Sequence, residues 1–166
     1  RTALIENKNF PQNLYHLLSE RSTYRWVYNV DMTTVSIKSL SEMDAFASEF
    51  LQKIASSERA RVVCLKGDLG AGKTAFAKSV AKTLGITEHV TSPTFVIQKT
   101  YEPTQGDWKR LVHIDAYRLE SADELSKLNW NETLANKDSL IMLEWPERVA
   151  EVIPEDATTL NFRFID

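Results

Sequence analysis

The amino-acid sequence predicts an α/β fold in which helices flank a largely parallel central sheet. The alternation of two kinds of segment supports this class. Short apolar segments of strand length alternate along the chain with amphipathic segments of helical period. Strands that are separated by helices pair in parallel through right-handed crossovers, and such sheets bind ligands at the carboxyl ends of their strands. We therefore expect a single compact domain of this architecture over residues 32–166.

The strand candidates are short segments with many apolar residues. In the first of them, Val35 and Ile37 alternate with polar neighbours. In the last, Leu160, Phe162 and Phe164 do the same, which is typical of half-buried strands. The other candidates cover residues 61–66, 95–100, 111–114 and 139–144.

Helices are predicted between these strands. One covers residues 73–84 and stops at Gly85, a residue that commonly ends helices. Others are expected to begin at Ser121, through an S-x-x-E capping pattern, and at Pro146, because proline is favoured in a first turn. An earlier helix is expected after Ser41 as its N-cap, and its apolar positions share one face. Those positions are Met43, Phe46, Ala47, Phe50, Leu51 and Ile54.

Composition and charge narrow the classes of function. Of the 166 residues, 43% are hydrophobic and 26% are charged, which is typical of one soluble globular domain. The formal net charge of -3 does not favour direct capture of a phosphate backbone. The sequence has no apolar run long enough to cross a membrane and no secretory signal pattern. We therefore expect a protein that does not contact membranes. Its single cysteine, Cys64, excludes an internal disulfide, which fits a cytoplasmic protein.

Residues 1–31 differ in character from the rest of the chain. They contain a short helical candidate after Pro11 and an aromatic run at residues 24–28. Met32 follows and would serve as a start. We interpret this segment as an N-terminal extension of unknown role. Two interpretations stay open: a small helix and strand, or a tag, a remnant of a longer chain or an upstream segment.

Residues 67–74, called the glycine loop below, match the pattern G-x-x-x-x-G-K-[ST] in full. Its glycines let backbone amides point at phosphate oxygens, Lys73 adds a positive charge, and Thr74 offers a hydroxyl to Mg²⁺. The loop follows an apolar strand and opens a helix whose dipole favours the same anion. We therefore predict a nucleotide site. Its predicted phosphate-binding residues are Gly67, Asp68, Leu69, Gly70, Ala71, Gly72, Lys73 and Thr74.

Two predicted strands end in carboxylates. The apolar segment 140–143 leads into Glu144, and residues 111–114 lead into Asp115. Such residues beside a phosphate loop hold Mg²⁺ and orient the attacking water, although each could also be a solvated carboxylate at a strand end. His113 alternates with Asp115, but a lone histidine in a strand is more often a hydrogen-bonded structural residue. The predicted metal ligands are Thr74, Asp115 and Glu144, and the predicted catalytic residues are Lys73, Asp115 and Glu144.

Four segments in this order resemble the TsaE family of bacterial ATPases, also called YjeE. They are GDLGAGKT at 67–74, TSPTF at 91–95, HIDAYRL at 113–119 and LEWPE at 143–147. The resemblance covers about residues 33–165 and implies a P-loop NTPase-type fold with a weak, Mg²⁺-dependent ATPase activity on ATP. It implies a role in tRNA threonylcarbamoyladenosine modification, in which the partners TsaD and TsaB carry out the transfer. On this basis the protein binds ATP, ADP and Mg²⁺, and it meets tRNA only indirectly through that complex.

The resemblance also implies roles for individual residues. Ser92 and Thr94 match a switch-like loop near the γ-phosphate, in which Pro93 restricts the path of the backbone. Trp145 matches an aromatic residue near the nucleotide. Asp115 matches a carboxylate that is needed for activity.

Two features depart from the family pattern. Ala75 stands where the family commonly has a second threonine, which leaves the metal position at Thr74 intact. Family members also tend to continue past the strand at residues 158–164. We therefore expect the ATPase domain at residues 32–166 to be truncated at its C-terminus.

Two other functions use the same loop. A small-molecule kinase needs an acceptor pocket and usually an arginine-rich lid, and the segment after Gly85 has no arginine cluster. A nucleotide-dependent binding switch of the GTPase type would read guanine through N-K-x-D, but residues 136–139 read NKDS, with the aspartate one place early. Adenine nucleotides are therefore expected to bind more tightly than guanine nucleotides. The intact Lys73 and Thr74 disfavour a structural module with a vestigial loop.

Overall fold

The computed structural model describes residues 2–7, 28–29, 32–54 and 57–165. These residues form eight strands of one mixed sheet. The strands are β1 (Thr2–Asn7), β2 (Tyr28–Asn29), β3 (Met32–Ile37), β4 (Arg61–Lys66), β5 (Gln98–Tyr101), β6 (Arg110–Asp115), β7 (Ser139–Glu144) and β8 (Thr158–Ile165). Their order across the sheet is β2-β3-β1-β8-β4-β7-β6-β5.

Helices cover both faces of this sheet. The α-helices are α1 (Leu40–Lys53), α2 (Lys73–Thr83), α3 (Ala122–Ser126) and α4 (Trp130–Ala135), and two 3-10 helices cover Ala116–Arg118 and Pro146–Val152. Among the residues that the structure describes, no helix has the length and apolar character needed to cross a membrane. The predicted α/β class is confirmed.

The sheet is parallel only at its centre. Strands β8, β4, β7 and β6 pair in parallel, whereas β1, β2, β3 and β5 pair antiparallel with their neighbours. The prediction of a largely parallel sheet is therefore corrected to a mixed sheet. A connection of eight residues joins β5 to β6 without a helix, and parallel strands need a longer crossover.

Strand β1 lies inside the sheet, between β3 and β8. Its residues Ala3 and Ile5 are buried in the same core cluster as α1 and α2. The predicted boundary at residue 32 therefore does not coincide with an edge of the sheet. The helical candidate after Pro11 and residues 24–27 of the aromatic run lie outside the described residues.

The strand predicted at residues 95–100 begins too early. The carbonyl of Pro93 accepts the amides of Val96 (2.9 Å) and Ile97 (2.6 Å), which closes a turn, and β5 begins at Gln98. The side chain of Phe95 is 82% exposed. The run of apolar residues therefore predicts a strand at a place where a proline sets a turn.

The predicted helices form, but their caps differ in detail. Ser39, not Ser41, is the N-cap of α1, since its hydroxyl accepts the amide of Glu42 at 3.2 Å. Helix α3 begins after Ser121 as expected, yet the Glu124 carboxylate accepts the amide of Glu120 at 2.9 Å. The helix expected at Pro146 is a 3-10 helix.

Two apolar cores lie on opposite faces of the sheet. On one face, α1 and α2 pack on the sheet around an aromatic cluster in which Phe76 lies 5.3 Å from Phe50 and 5.7 Å from Phe162, between ring centroids. On the other face, α3, α4 and the second 3-10 helix cover the sheet. This packing places the N-terminus of α2 at the carboxyl ends of β4, β6 and β7, where Asp115 and Glu144 are register partners.

If β1 is an integral strand, truncating its buried side chain will destabilise the whole domain. Ile5 is 1% exposed, so we expect Ile5→Ala to lower the free energy of unfolding by about 2–5 kcal/mol. The matched variant Ile5→Val should cost only about 0.5–1.5 kcal/mol. Urea unfolding of both variants measures this difference. Equal stability of wild type and Ile5→Ala would show that β1 does not pack in the core.

Candidate functional site

The glycine loop joins β4 to α2, and its glycines have backbone angles that other residues rarely adopt. Gly67, Gly70 and Gly72 have φ angles of 139°, 81° and 109°. At Gly67 there is also no space, because a Cβ atom there would lie 2.1 Å from the backbone oxygen of Phe162. Gly72 is the N-cap of α2 and provides no side-chain cap, so the first amides of the helix are open to an external acceptor.

Lys73 is buried at the start of α2, and its ammonium group lies within the loop. Its Nζ donates to the carbonyl oxygens of Gly67 (2.6 Å) and Asp68 (2.9 Å). The same atom lies 4.2 Å from the ring centroid of Trp145. Burial lowers the pKa of Lys73, while the negative charge of Glu144 opposes that shift. The ammonium group thus lies inside the glycine loop, where the sequence predicts that phosphate binds.

Glu144 ends β7 and contacts α2 through a hydrogen bond. The Thr74 hydroxyl donates to Glu144 Oε1 at 2.8 Å, and His113 Nε2 lies 2.8 Å from the same oxygen. The side chains of His113 and Glu144 are both buried. Two residues predicted as metal ligands, Thr74 and Glu144, are therefore direct neighbours.

Asp115 ends β6 and holds the segment at residues 91–97. Thr94 Oγ1 donates to Asp115 Oδ2 at 2.5 Å, and the Ser92 hydroxyl lies 2.6 Å from Thr94 Oγ1. The other carboxylate oxygen accepts the amide of Tyr117 at 3.0 Å. The predicted switch residues thus lie beside Asp115: Thr94 contacts its carboxylate, and Ser92 contacts Thr94.

Trp145 connects β7 to the following 3-10 helix in a left-handed conformation, with φ 58° and ψ 49°. Its amide donates to the carbonyl of Leu65 in β4 at 3.3 Å. The Tyr117 ring packs on it at 5.0 Å between centroids, and the Arg148 guanidinium lies 5.9 Å from the Tyr117 ring. The Trp145 ring thus lies against Lys73 of the glycine loop, and its predicted place near the nucleotide stays a prediction.

Two neighbours of the site are not among the residues that the sequence predicts for it. His113 contacts Glu144, and Tyr117 contacts Trp145. The alternation of His113 with Asp115 along one strand was a usable signal, because alternate residues of a strand face the same side. In the part of the chain that the structure describes, no three His, Cys, Asp or Glu side chains are grouped to hold a metal. Mg²⁺ sites commonly combine one or two carboxylates with substrate phosphates.

The fold and site together define a class of protein. It is an α/β protein in which a G-x-x-x-x-G-K-[ST] loop joins a central parallel strand to a helix, with carboxylates at the ends of two adjacent parallel strands. The family model of the threonylcarbamoyl adenosine biosynthesis protein TsaE matches residues 37–165. The chain therefore belongs to the TsaE family, whose members take part in tRNA threonylcarbamoyladenosine biosynthesis.

Curated relatives and a solved structure agree with this assignment. The chain is 44% identical over 101 residues to the tRNA threonylcarbamoyladenosine biosynthesis protein TsaE of Streptomyces coelicolor, covering 60% of this chain and 66% of that protein. It is 33% identical over 132 residues to the TsaE protein of Borreliella burgdorferi, covering 79% and 91%. The crystal structure of YdiB from Bacillus subtilis superposes with a TM-score of 0.57 at 31% identity, covering 75% of this chain and 71% of that chain.

The close approach at Gly67 predicts unequal effects of alanine within the loop. Gly67→Ala combines an unfavourable φ with a clash against backbone, so we expect it to lower the free energy of unfolding by about 3 kcal/mol. Gly70→Ala has the unfavourable φ only, since the nearest atom is a side-chain carbon of Phe164 at 3.8 Å, and should cost about 1–2 kcal/mol. Urea unfolding compares the two. Equal losses would mean that the contact with Phe162 does not require glycine.

Proposed function

We propose that this protein binds ATP with Mg²⁺, hydrolyses it slowly to ADP and phosphate, and supports tRNA threonylcarbamoyladenosine modification as an accessory of a TsaD–TsaB complex. In this proposal the domain is a P-loop NTPase-type ATPase and does not itself transfer the threonylcarbamoyl group. The observation that carries the proposal is the hydrogen bond of 2.8 Å between Thr74 and Glu144. It places the hydroxyl at the end of the glycine loop beside a buried carboxylate, which are the two kinds of side chain that hold Mg²⁺ in P-loop NTPases.

The glycine loop fits a chain of phosphates. The positive φ angles of Gly67, Gly70 and Gly72 give the loop a curled backbone, and the uncapped N-terminus of α2 offers free amides to an anion. Lys73 holds two backbone carbonyl oxygens of the loop, at 2.6 and 2.9 Å. Phosphate oxygens are stronger acceptors for an ammonium than neutral carbonyls, so a nucleotide would take over these contacts.

The residues around Glu144 fit Mg²⁺. A hydroxyl has one proton and two lone pairs, so Thr74 can donate to Glu144 and still offer an oxygen lone pair to a cation. Thr74, Glu144 and Asp115 would hold the ion together with phosphate oxygens. When bound, Mg²⁺ would neutralise charge that develops on the phosphates during hydrolysis.

Asp115 is suited to orient the attacking water. Its carboxylate is buried and accepts from Thr94 at 2.5 Å, so the segment at residues 91–97 lies against it. In the proposed reaction the Thr94 and Ser92 hydroxyls turn towards the γ-phosphate, which leaves Asp115 Oδ2 to accept a hydrogen bond from water. After hydrolysis the hydroxyls return to Asp115. This exchange would make the segment respond to the nucleotide.

Exposed apolar side chains support a partner role. Leu69 in the glycine loop is 85% exposed, Phe95 is 82% exposed, and Val96 and Tyr117 are also exposed. Large exposed apolar side chains are available to a protein partner, and these four lie in the glycine loop, in the segment at residues 91–97 and in the 3-10 helix after β6. Because these residues belong to the loops that carry the proposed site, a partner docked there would be sensitive to the nucleotide. The net charge of -3 supports indirect contact with tRNA.

Substitutions should separate binding from hydrolysis. We expect Lys73→Ala to weaken ATP and ADP binding by about 100-fold, since it removes charge-assisted hydrogen bonds. Asp115→Ala and Glu144→Ala should retain binding and lower kcat by about 100-fold. Calorimetry and a phosphate-release assay measure these effects. Lys78→Ala, which changes an exposed lysine of the same helix, is the matched control. Unchanged phosphate release by both carboxylate variants would remove Asp115 and Glu144 from the chemistry.

The accessory role predicts capture that depends on the nucleotide. We expect the protein to co-purify with TsaD and TsaB, and the captured fraction to differ between ATP and ADP. At nucleotide concentrations that saturate wild type but lie below the weakened affinity of Lys73→Ala, this variant should be captured equally in the presence of either nucleotide. No association with ATP or with ADP would reject the accessory role and leave an ATPase without this partner.

A further inference from the structure

His113 lies behind the proposed magnesium site and contacts it through one atom. Its side chain is 1% exposed, and its Nε2 lies 2.8 Å from Glu144 Oε1. The other ring nitrogen, Nδ1, has no hydrogen-bond partner among the described residues. The polar contact of this buried imidazole is therefore directed to a predicted metal ligand.

The strand pattern explains how His113 reaches this position. Residues 111, 113 and 115 of β6 face the same side of the sheet, and Leu111 packs in the core beneath α1 and α2. His113 pairs in register with Met142, two residues before Glu144 in β7. The imidazole therefore lies on the same side of the sheet as the N-terminus of α2.

The hydrogen-bond chemistry fixes the direction of the contact. In the metal-binding form that we propose, Glu144 is a carboxylate that can only accept, so the N–H of His113 Nε2 donates to Glu144 Oε1. The Thr74 hydroxyl donates to the same oxygen at 2.8 Å. Rotation of the Glu144 carboxylate would break one of the two hydrogen bonds.

We infer that His113 is a positioning residue for the magnesium site. By holding Glu144 Oε1, it fixes the carboxylate in the orientation in which the Thr74 hydroxyl donates to it and offers its lone pairs to the cation. Residues that orient a metal ligand in this way affect metal affinity or activity by about 10–100-fold when they are replaced. This inference rests on the proposed function, because it gives His113 a role only if Mg²⁺ and a nucleotide bind.

The arrangement separates the role of His113 from general support of the fold. The glycine loop and Lys73 would bind phosphates without contact to His113, whereas Glu144 would act through the cation. Loss of the imidazole should therefore affect the steps that need Mg²⁺ and spare nucleotide binding without metal. If His113 only filled the core, its loss would either change both the Mg²⁺-dependent steps and nucleotide binding without metal, or change neither of them.

Three variants of the full chain test this inference. His113→Leu removes the donor, His113→Gln keeps an N–H group on a side chain of similar reach, and Leu111→Met is a volume-conserving control on the same face of β6. Calorimetry measures ADP affinity in EDTA and over a series of Mg²⁺ concentrations. A phosphate-release assay gives kcat and KM for ATP.

We expect His113→Leu to raise the Mg²⁺ concentration for half-saturation and to lower kcat, each by about 10–100-fold. Its ADP affinity in EDTA and its KM for ATP at saturating Mg²⁺ should stay within about twofold of wild type. His113→Gln should recover most of the loss, and Leu111→Met should behave as wild type.

Other outcomes overturn the inference in distinguishable ways. If wild type binds Mg²⁺ and ATP and His113→Leu leaves the magnesium dependence unchanged, the positioning role is wrong and the proposed function stands. If His113→Leu and His113→Gln also lose ADP binding in EDTA, His113 supports the fold instead. If the wild type shows no magnesium-dependent nucleotide binding, the proposed function fails, and this inference fails with it.

Discussion

The hydrogen bond between Thr74 and Glu144 connects the glycine loop to the carboxylate at the end of β7. It joins the first turn of α2 to the end of β7, and the two residues lie 70 positions apart in the chain. Because Glu144 is buried, its charge is stabilised only if donors reach it, and Thr74 and His113 provide two. A displacement of α2 or β7 would remove a donor from a buried carboxylate, which is costly. The position of the glycine loop therefore depends on this contact.

Backbone strain lies next to both carboxylates. Trp145, after Glu144, has φ 58°, and Ile97, whose carbonyl accepts the Asp115 amide at 2.9 Å, has φ 65°. Positive φ costs a non-glycine residue about 1–2 kcal/mol, and a β-branched side chain such as that of Ile97 is especially unfavourable there. Strain of this kind persists where surrounding contacts over-determine the backbone, and it is concentrated at functional sites. For Trp145 the contact with Lys73 is one such constraint.

The shape of the glycine loop depends on its local sequence, whereas the sheet around it is built from segments that are distant in the chain. The glycine loop owes its shape to residues that tolerate positive φ, but the space available to Gly67 is set by Phe162 in β8. Strand β8 in turn pairs with β1, and β1 lies outside the residues matched by the family model. The family pattern therefore describes the site, whereas the sheet around it also includes residues that precede the match.

The sequence by itself determined the α/β class, the strand, loop and helix at residues 61–84, and the strand ends at Asp115 and Glu144. These features follow from local periodicity and from the chemistry of glycine, lysine and threonine, which act over a few residues. Only the tertiary structure decided that β1 lies inside a mixed sheet, that Thr94 contacts Asp115, and that His113 contacts Glu144. The physical reason is that strand order and buried hydrogen bonds depend on pairings between distant segments, which local propensity does not encode.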